Sequence, residues 1–276
     1  MPIVLAGNSY GKSRVRVVKV TRRADGHDLA ELAVNVRFEG DFDAVHTAGD
    51  NSAVLPTDTM KNTVNALAKA WSGEPIEEFG CQLAEHFLGD NPRVSRVRIE
   101  IGQSQWIRLD RHAFTRGSEE KQTTEVVGAR GGTDIQSGIE SLIVLKTAGS
   151  AFEGYKKDRY TTLKETSDRI LATAITARWA YRTAKVAFGA CRQRAREAIL
   201  KTFVEQDSPS VQHTAHAMGE AVLNAALDIS EIRLTLPNKH CLLVDLAPFG
   251  LDNLNEIFVP TGEPHGLIEV YLARQT

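Results

Sequence analysis

One order of elements, strand, strand, helix, helix, strand, strand, runs through the sequence twice, and a chain so built folds into two similar α+β halves in tandem. Ser13 to Arg22 alternates charged and β-branched residues, Asp28 to Glu39 has a similar period, and Ala24-Asp25-Gly26-His27 lies between them. The pair predicts a β-hairpin with one buried face. Asp41 to Asp50 reads as a loop. Met60, Val64, Leu67, Ala68 and Trp71 then recur at helical spacing over Thr59 to Trp71, with Thr57 or Asp58 as N-cap. Pro75, a first-turn residue, announces a second helix through Ile76, Phe79, Leu83 and Phe87 to Gly89. Val94 to Leu109 returns to strand. Asp110 to Thr133 is polar, with a short strand at Glu125 to Ala129. Gly128-Ala129-Arg130-Gly131-Gly132 lacks the Lys-Ser/Thr of a phosphate loop and has no helix pattern after it, so it reads as a strand end and linker.

From Asp134 the order restarts. Gly138 to Lys146 and Leu171 to Val186 are strands, Phe188 to Glu205 and Ser210 to Leu227 are helices, and Asp207-Ser208-Pro209 separates the helices and caps the second. Ile229 to Leu236 and Leu267 to Ala273 close the half. The repeat is one of architecture, without strong identity between halves, and the domains are residues 1–133 and 134–276. A length of 276 residues gives each a core of its own.

With 33 basic and 35 acidic residues in mixed order and a net charge of −2, no stripe of one sign is available to track nucleic acid or an acidic membrane. Cys81, Cys191 and Cys241 have neither CxxC nor zinc-ribbon spacing and read as reduced thiols. No apolar run reaches the eighteen or so residues of a membrane span, and Met1 to Ala6 is too short for a signal-peptide core. The expected protein is soluble and cytosolic.

The candidate chemistry centres on Ala151 to Ile170. Phe152 offers a π-face, Leu163 a wall and Arg169 a planar fork of donors, which suits one side of a pocket for a flat, electron-rich ring. Four more clusters fall at expected element termini: Tyr10-Gly11-Lys12 before the first strand, Pro56-Thr57-Asp58-Thr59, Ser208-Pro209-Ser210-Val211-Gln212, and Leu236-Pro237-Asn238-Lys239-His240 ending a strand. Each residue alone has an ordinary role open to it: edge-strand charge, helix cap, turn former or satisfied histidine.

Together these motifs resemble the urate oxidase (uricase) family over nearly the whole chain, with Thr57-Asp58-Thr59-Met60-Lys61-Asn62-Thr63, Tyr160-Thr161-Thr162-Leu163-Lys164-Glu165-Thr166 and Pro264-His265-Gly266-Leu267-Ile268-Glu269 in the right order. The resemblance implies that each half is a T-fold, a four-stranded antiparallel sheet backed by two helices, that two chains close their sheets into a barrel, and that two dimers stack as a homotetramer. It implies that Phe152 stacks on the purine, Leu163 and Val211 wall it in, and Arg169 and Gln212 grip its polar edge. Asn238 then holds O₂ or water above the ring, and Lys12, Thr57 and His240 form a proton relay. Thr57 and Asp58 come from the neighbouring chain. The implied reaction is oxidation of urate by O₂ and water to 5-hydroxyisourate and H₂O₂ in purine catabolism, with no metal or organic cofactor.

Ala273-Arg274-Gln275-Thr276 at the end lacks the peroxisomal Ser-Lys-Leu address, so the expected enzyme is cytoplasmic and bacterial. A zinc-using T-fold enzyme would need more than the His213/His216 pair. A purine binder without catalysis would keep Phe152, Arg169 and Gln212 and break the relay, whereas Lys12, Thr57 and His240 are all present.

Overall fold

The computed structural model describes residue 1 and residues 3–275. Eight strands are hydrogen-bonded in sequence order, and every register described is antiparallel. Contacts group the chain into two compact units, residues 1–138 with 180–190, and residues 139–179 with 191–276.

In the first unit β1 (Tyr10–Arg23) and β2 (Gly26–Gly40) form the expected hairpin, in register from Arg23↔Gly26 to Tyr10↔Phe38. Val15 and Val17 on β1, with Ala30, Leu32, Val34, Val36 and Phe38 on β2, are buried at alternate positions, as one covered face of a pleated sheet requires. The stretch read as a loop contains α1 (Asp43–Ala48), a six-residue helix with no buried residue and therefore no apolar period to betray it. α2 (Thr57–Ala70) starts earlier than expected. Pro56 is its N-cap and its carbonyl accepts the Met60 N–H at 3.2 Å, so Thr57 and Asp58 lie inside the first turn and do not cap it. Met60, Val64 and Ala68 form its buried stripe, and Lys19 Nζ closes its far end on the carbonyls of Ala68 and Lys69 at 2.8 and 3.0 Å.

α3 (Ile76–Asp90) follows Pro75, which is its N-cap, and buries Phe79, Leu83 and Phe87 against β3 (Val94–Arg108) and β4 (Phe114–Ala129). Gly80 permits that approach: a Cβ there would lie 2.7 Å from Val126 Cγ2. β4 is far longer than the expected short strand. Its register runs from Ala129↔Arg96 to Phe114↔Arg108, and its outer half was hidden by polar, exposed residues. Across this sheet Glu31 accepts hydrogen bonds from Arg16, Arg116 and Trp106 Nε1. Burial alone would raise its carboxyl, but the bonds and charges of these partners outweigh it and hold the group below the usual range. The strand end expected at Gly128-Ala129 is the end of β4, and the linker expected after it is instead a tight turn, Arg130-Gly131, leading straight into β5 (Gly132–Lys146).

In the second unit β6 (Leu171–Tyr181) ends sooner than the expected Val186, α4 (Phe188–Glu205) agrees to the residue, and α5 (Val211–Ala225) is capped by Ser210, whose Oγ accepts the His213 N–H at 3.2 Å. The cap is thus Ser210 and not Asp207-Ser208-Pro209. β7 (Ile229–Leu243) and β8 (Phe258–Ala273) outrun their expected limits, since pairing continues past Pro237 to Leu243↔Phe258. Gly219 on α5 matches Gly80 in effect, as a Cβ there would lie 2.7 Å from Leu272 Cδ1. Ile175, Trp179, Ile199, Met218, Val222, Ile232 and Leu234 fill this unit's interior.

Candidate functional site

The candidate residues fall into two clusters, one in each unit. Lys12 lies within β1, opposite Val36, and not ahead of the strand. The register slips between Lys12 and Val15, with Arg14 at φ 57° and its N–H donated to Asn35 Oδ1 at 2.7 Å. Such a bulge re-aims a side chain without ending the strand. The Leu55 N–H donates to Tyr10 Oη at 3.1 Å, which ties the start of β1 to the segment leading into Thr57. Asp58 is engaged within its own helix by Lys61 and by Asn62 Nδ2, the latter at 3.0 Å. Its carboxyl is held low first by the Lys61 hydrogen bond, next by the Lys61 charge, and in part by the charge of Lys12, so Lys12 lies within electrostatic reach of this helix start. The cluster joins an ammonium, a hydroxyl and the free N–H groups of a first helical turn.

The second cluster hangs from the irregular chain between β5 and β6. Phe152 and Thr166 exchange backbone hydrogen bonds of 2.8 and 3.2 Å, closing the segment into a loop. Asp168 Oδ1 accepts the N–H of Gly149 at 2.7 Å and of Ser150 at 3.3 Å, fixing the loop's base one residue from Arg169. A parallel bridge, Ala151 N–H to the Ser208 carbonyl at 2.7 Å and Ser208 N–H to the Gly149 carbonyl at 2.9 Å, brings the start of α5 alongside. The bridge sets the base of the Phe152 loop beside the segment that leads into Val211 and Gln212. Arg169 Cζ stands 5.2 Å from the Phe152 ring centroid.

Arg169 is the half-buried cation of this cluster. Its Nε is buried with no hydrogen-bond partner, no ion pair reaches it among the described residues, and burial pushes its pKa down. A desolvated cation without a counter-charge is costly and favours an anionic ligand. The two expected walls differ: Val211 is 3% exposed, whereas Leu163 is 58% exposed. Gln212 is exposed in the first turn of α5.

Asn238 and His240 are interior to β7 and do not end it. They flank a register break, Asn238 pairing with Gly266 and His240 with Thr261, where β8 takes more residues than β7. Thr173 Oγ1 donates to the Pro237 carbonyl at 2.9 Å, linking β6 just beyond Arg169 to the residue before Asn238.

One further side chain, outside the motif residues, joins this cluster. Tyr155 stacks on Phe152 with centroids 4.8 Å apart and planes 15° from parallel, and its hydroxyl donates to the Leu163 carbonyl at 2.6 Å. The signal was there, a glycine between two aromatics: Gly154 at φ 68° turns the chain so that residues 152 and 155 stack. His213 Nδ1 lies 2.8 Å from Gln206 Nε2, and among the described residues no three His, Cys, Asp or Glu side chains are grouped to hold a metal ion. Among them, too, no helix is long and apolar enough to cross a membrane.

Comparison with known proteins adds the family. A profile of the family described as Uricase matches residues 8–127 and 135–269. The curated uricase of Arthrobacter globiformis is 45% identical over 275 residues, covering 99% of this chain and 91% of that protein. That of Cyberlindnera jadinii is 37% identical over 298 residues, covering 100% and 98%. The crystal structure of the uricase from Arthrobacter globiformis superposes with a TM-score of 0.96 at 45% identity, covering 100% of this chain and 96% of that one.

Proposed function

The chain belongs to the uricase family and is an oxidoreductase acting on urate, and on that premise we propose that its second unit binds the purine, while Lys12 and Thr57 of its first unit carry the proton chemistry together with His240 of the second. Urate is already an anion at neutral pH and is extensively conjugated. Loss of one more proton gives an electron-rich dianion able to reduce O₂ itself, so the protein has only to bind, deprotonate and exclude bulk water. No metal or organic cofactor takes part. A hydroperoxide forms at the ring carbon and gives up peroxide as water adds, so that urate, O₂ and H₂O become 5-hydroxyisourate and H₂O₂.

Phe152 stacks on the ring, Leu163 and Val211 bound it, and Arg169 and Gln212 hold its in-plane acceptors. Asn238 positions O₂ and then water. Lys12, Thr57 and His240 relay the proton, with Lys12 favouring an alkoxide-like Thr57, and the backbone of Thr57 and Asp58 meets the substrate. The observation that carries this reading is the half-buried Arg169, its Nε without a partner, beside an aromatic face. It calls for a flat anion, which urate is.

Each half, residues 1–133 and 134–276, is a T-fold. Two chains close their sheets into a barrel, two dimers make a homotetramer, and each active site joins Thr57 and Asp58 of one chain to Phe152, Arg169 and Gln212 of its neighbour. The enzyme works in the cytoplasm, where its three free thiols stay reduced.

Mixing tests the arrangement. Thr57→Ala and Arg169→Ala subunits, each inactive alone, are refolded together and assayed for urate loss with peroxide release. Random assembly leaves undamaged about one site in four, because a mixed dimer has one site with both defects and one with neither. Recovery near a quarter of wild-type activity is expected, and none, with subunit exchange verified, overturns the shared site. Exhaustive chelation should leave the wild-type rate unchanged, and loss restored by zinc or copper overturns the cofactor-free reaction.

A further inference from the structure

We propose that Tyr155 is a positioning residue for urate, acting through Phe152 and Leu163; this rests on the substrate site just described. Its ring lies against one face of Phe152, 4.8 Å away and 15° from parallel, and so fixes the plane of the ring that Arg169 Cζ approaches to 5.2 Å from the centroid. Its hydroxyl donates to the Leu163 carbonyl at 2.6 Å. One side chain therefore sets both the tilt of the platform and the place of a wall that is otherwise exposed.

Tyr155 is itself held. Lys157 Nζ sits 5.5 Å from its ring centroid and pairs with Glu165 at 3.2 Å, while Glu165 Oε1 accepts the Gly154 N–H at 3.1 Å. The Lys157 bond, followed by that N–H, holds the Glu165 carboxyl below its usual range, so the brace is charged at neutral pH. Lys157, Tyr155 and Phe152 thus make a braced stack in a segment with neither helix nor strand. Stacking preferences fix a ring's plane more than its neighbours' chemistry, so Tyr155 bears on binding geometry and not on proton transfer.

Tyr155→Phe keeps the ring and removes the tie to Leu163, and Tyr155→Leu removes both. Urate affinity is measured without oxygen by calorimetry, and KM and kcat are measured in air. Affinity should weaken about threefold in Tyr155→Phe and about tenfold in Tyr155→Leu, with KM following and kcat within about threefold of wild type. Either variant binding anaerobic urate as tightly as wild type, or losing kcat at unchanged affinity, overturns the proposal. Melting temperatures within a few degrees of wild type verify that folding is kept, and Tyr155→Phe, nearly isosteric, guards against collapse of the loop. A wild-type protein that binds urate but does not consume it overturns the catalytic reading, and the anaerobic affinities still decide the role of Tyr155.

Discussion

Lys12 with Thr57 and Asp58, and Phe152 with Arg169, are held by opposite means, while Asn238 and His240 sit on the paired strand β7 and Gln212 on α5. In the first unit Lys12 is carried by a paired strand and Thr57 and Asp58 by a helix, each locked into a backbone ladder. In the second, Phe152 and Arg169 hang on an irregular loop closed by one bridge and by the two N–H bonds to Asp168. Groups that move protons tolerate little displacement, which suits a ladder. A loop can adjust to a ligand's outline, which suits recognition. Both clusters contain a break in strand register, at Lys12/Val15 and at Asn238/His240.

If that division holds, damage to the two clusters will have different kinetic signatures. The largest effect is expected at Lys12: Lys12→Ala should lower kcat by about 10²- to 10⁴-fold with KM little changed, the range for loss of a positioned acid or base. Steady-state assays across urate concentrations check this, and a rise in KM alone would put Lys12 among the binding groups. Arg169→Ala should instead weaken anaerobic urate binding by about 2–5 kcal/mol, because a buried charge-assisted contact is lost. Calorimetry showing wild-type affinity would break the comparison.

The two helix–sheet contacts sharpen it on the side of stability. Gly80→Ala should destabilise by about 1–2 kcal/mol, overpacking against the stiff, branched Val126 outweighing the helix-propensity gain. Gly219→Ala, facing the flexible end of Leu272, should stay within about 0.5 kcal/mol of wild type in denaturant titrations. The cross-strand carboxylates carry the comparison to pH. Glu31 is 13% exposed and Glu269 44%, so Glu31→Gln should cost about 1 kcal/mol at neutral pH and Glu269→Gln less. Because the folded-state pKa of Glu31 is depressed, its contribution is present above the unfolded carboxylate value of about 4.3 and fades as pH falls through the folded value. Urea curves taken at neutral and at acidic pH should therefore converge for wild type and Glu31→Gln.

How far the sequence revealed the fold depended on whether a segment buries a face. α4 and the first hairpin were legible because apolar residues recur at the period of the element. α1 buries nothing and passed as a loop, and β4 lost its outer half to exposed polar residues. β7 failed differently. Pro237, Asn238, Lys239 and His240 interrupt the alternation, so the residues chosen for chemistry disguised the strand that carries them. Thr57 and Asp58 were seen as helix-start residues but misassigned as caps, since Pro56 takes that place without a side-chain bond. Motif resemblance named the candidate residues one by one. It left out Tyr155, whose part depends on a stack and a hydroxyl contact that spacing alone does not reveal.

The partnerless Nε of Arg169 also bears on how long the protein lasts. A half-buried cation that gains an anionic partner on binding makes the empty fold the weaker one, so substrate doubles as a stabiliser: occupancy at a hundred times Kd adds about 2.7 kcal/mol against unfolding. Heat resistance will then track urate concentration, and the enzyme, by consuming urate, strips away its own protection as the substrate runs out.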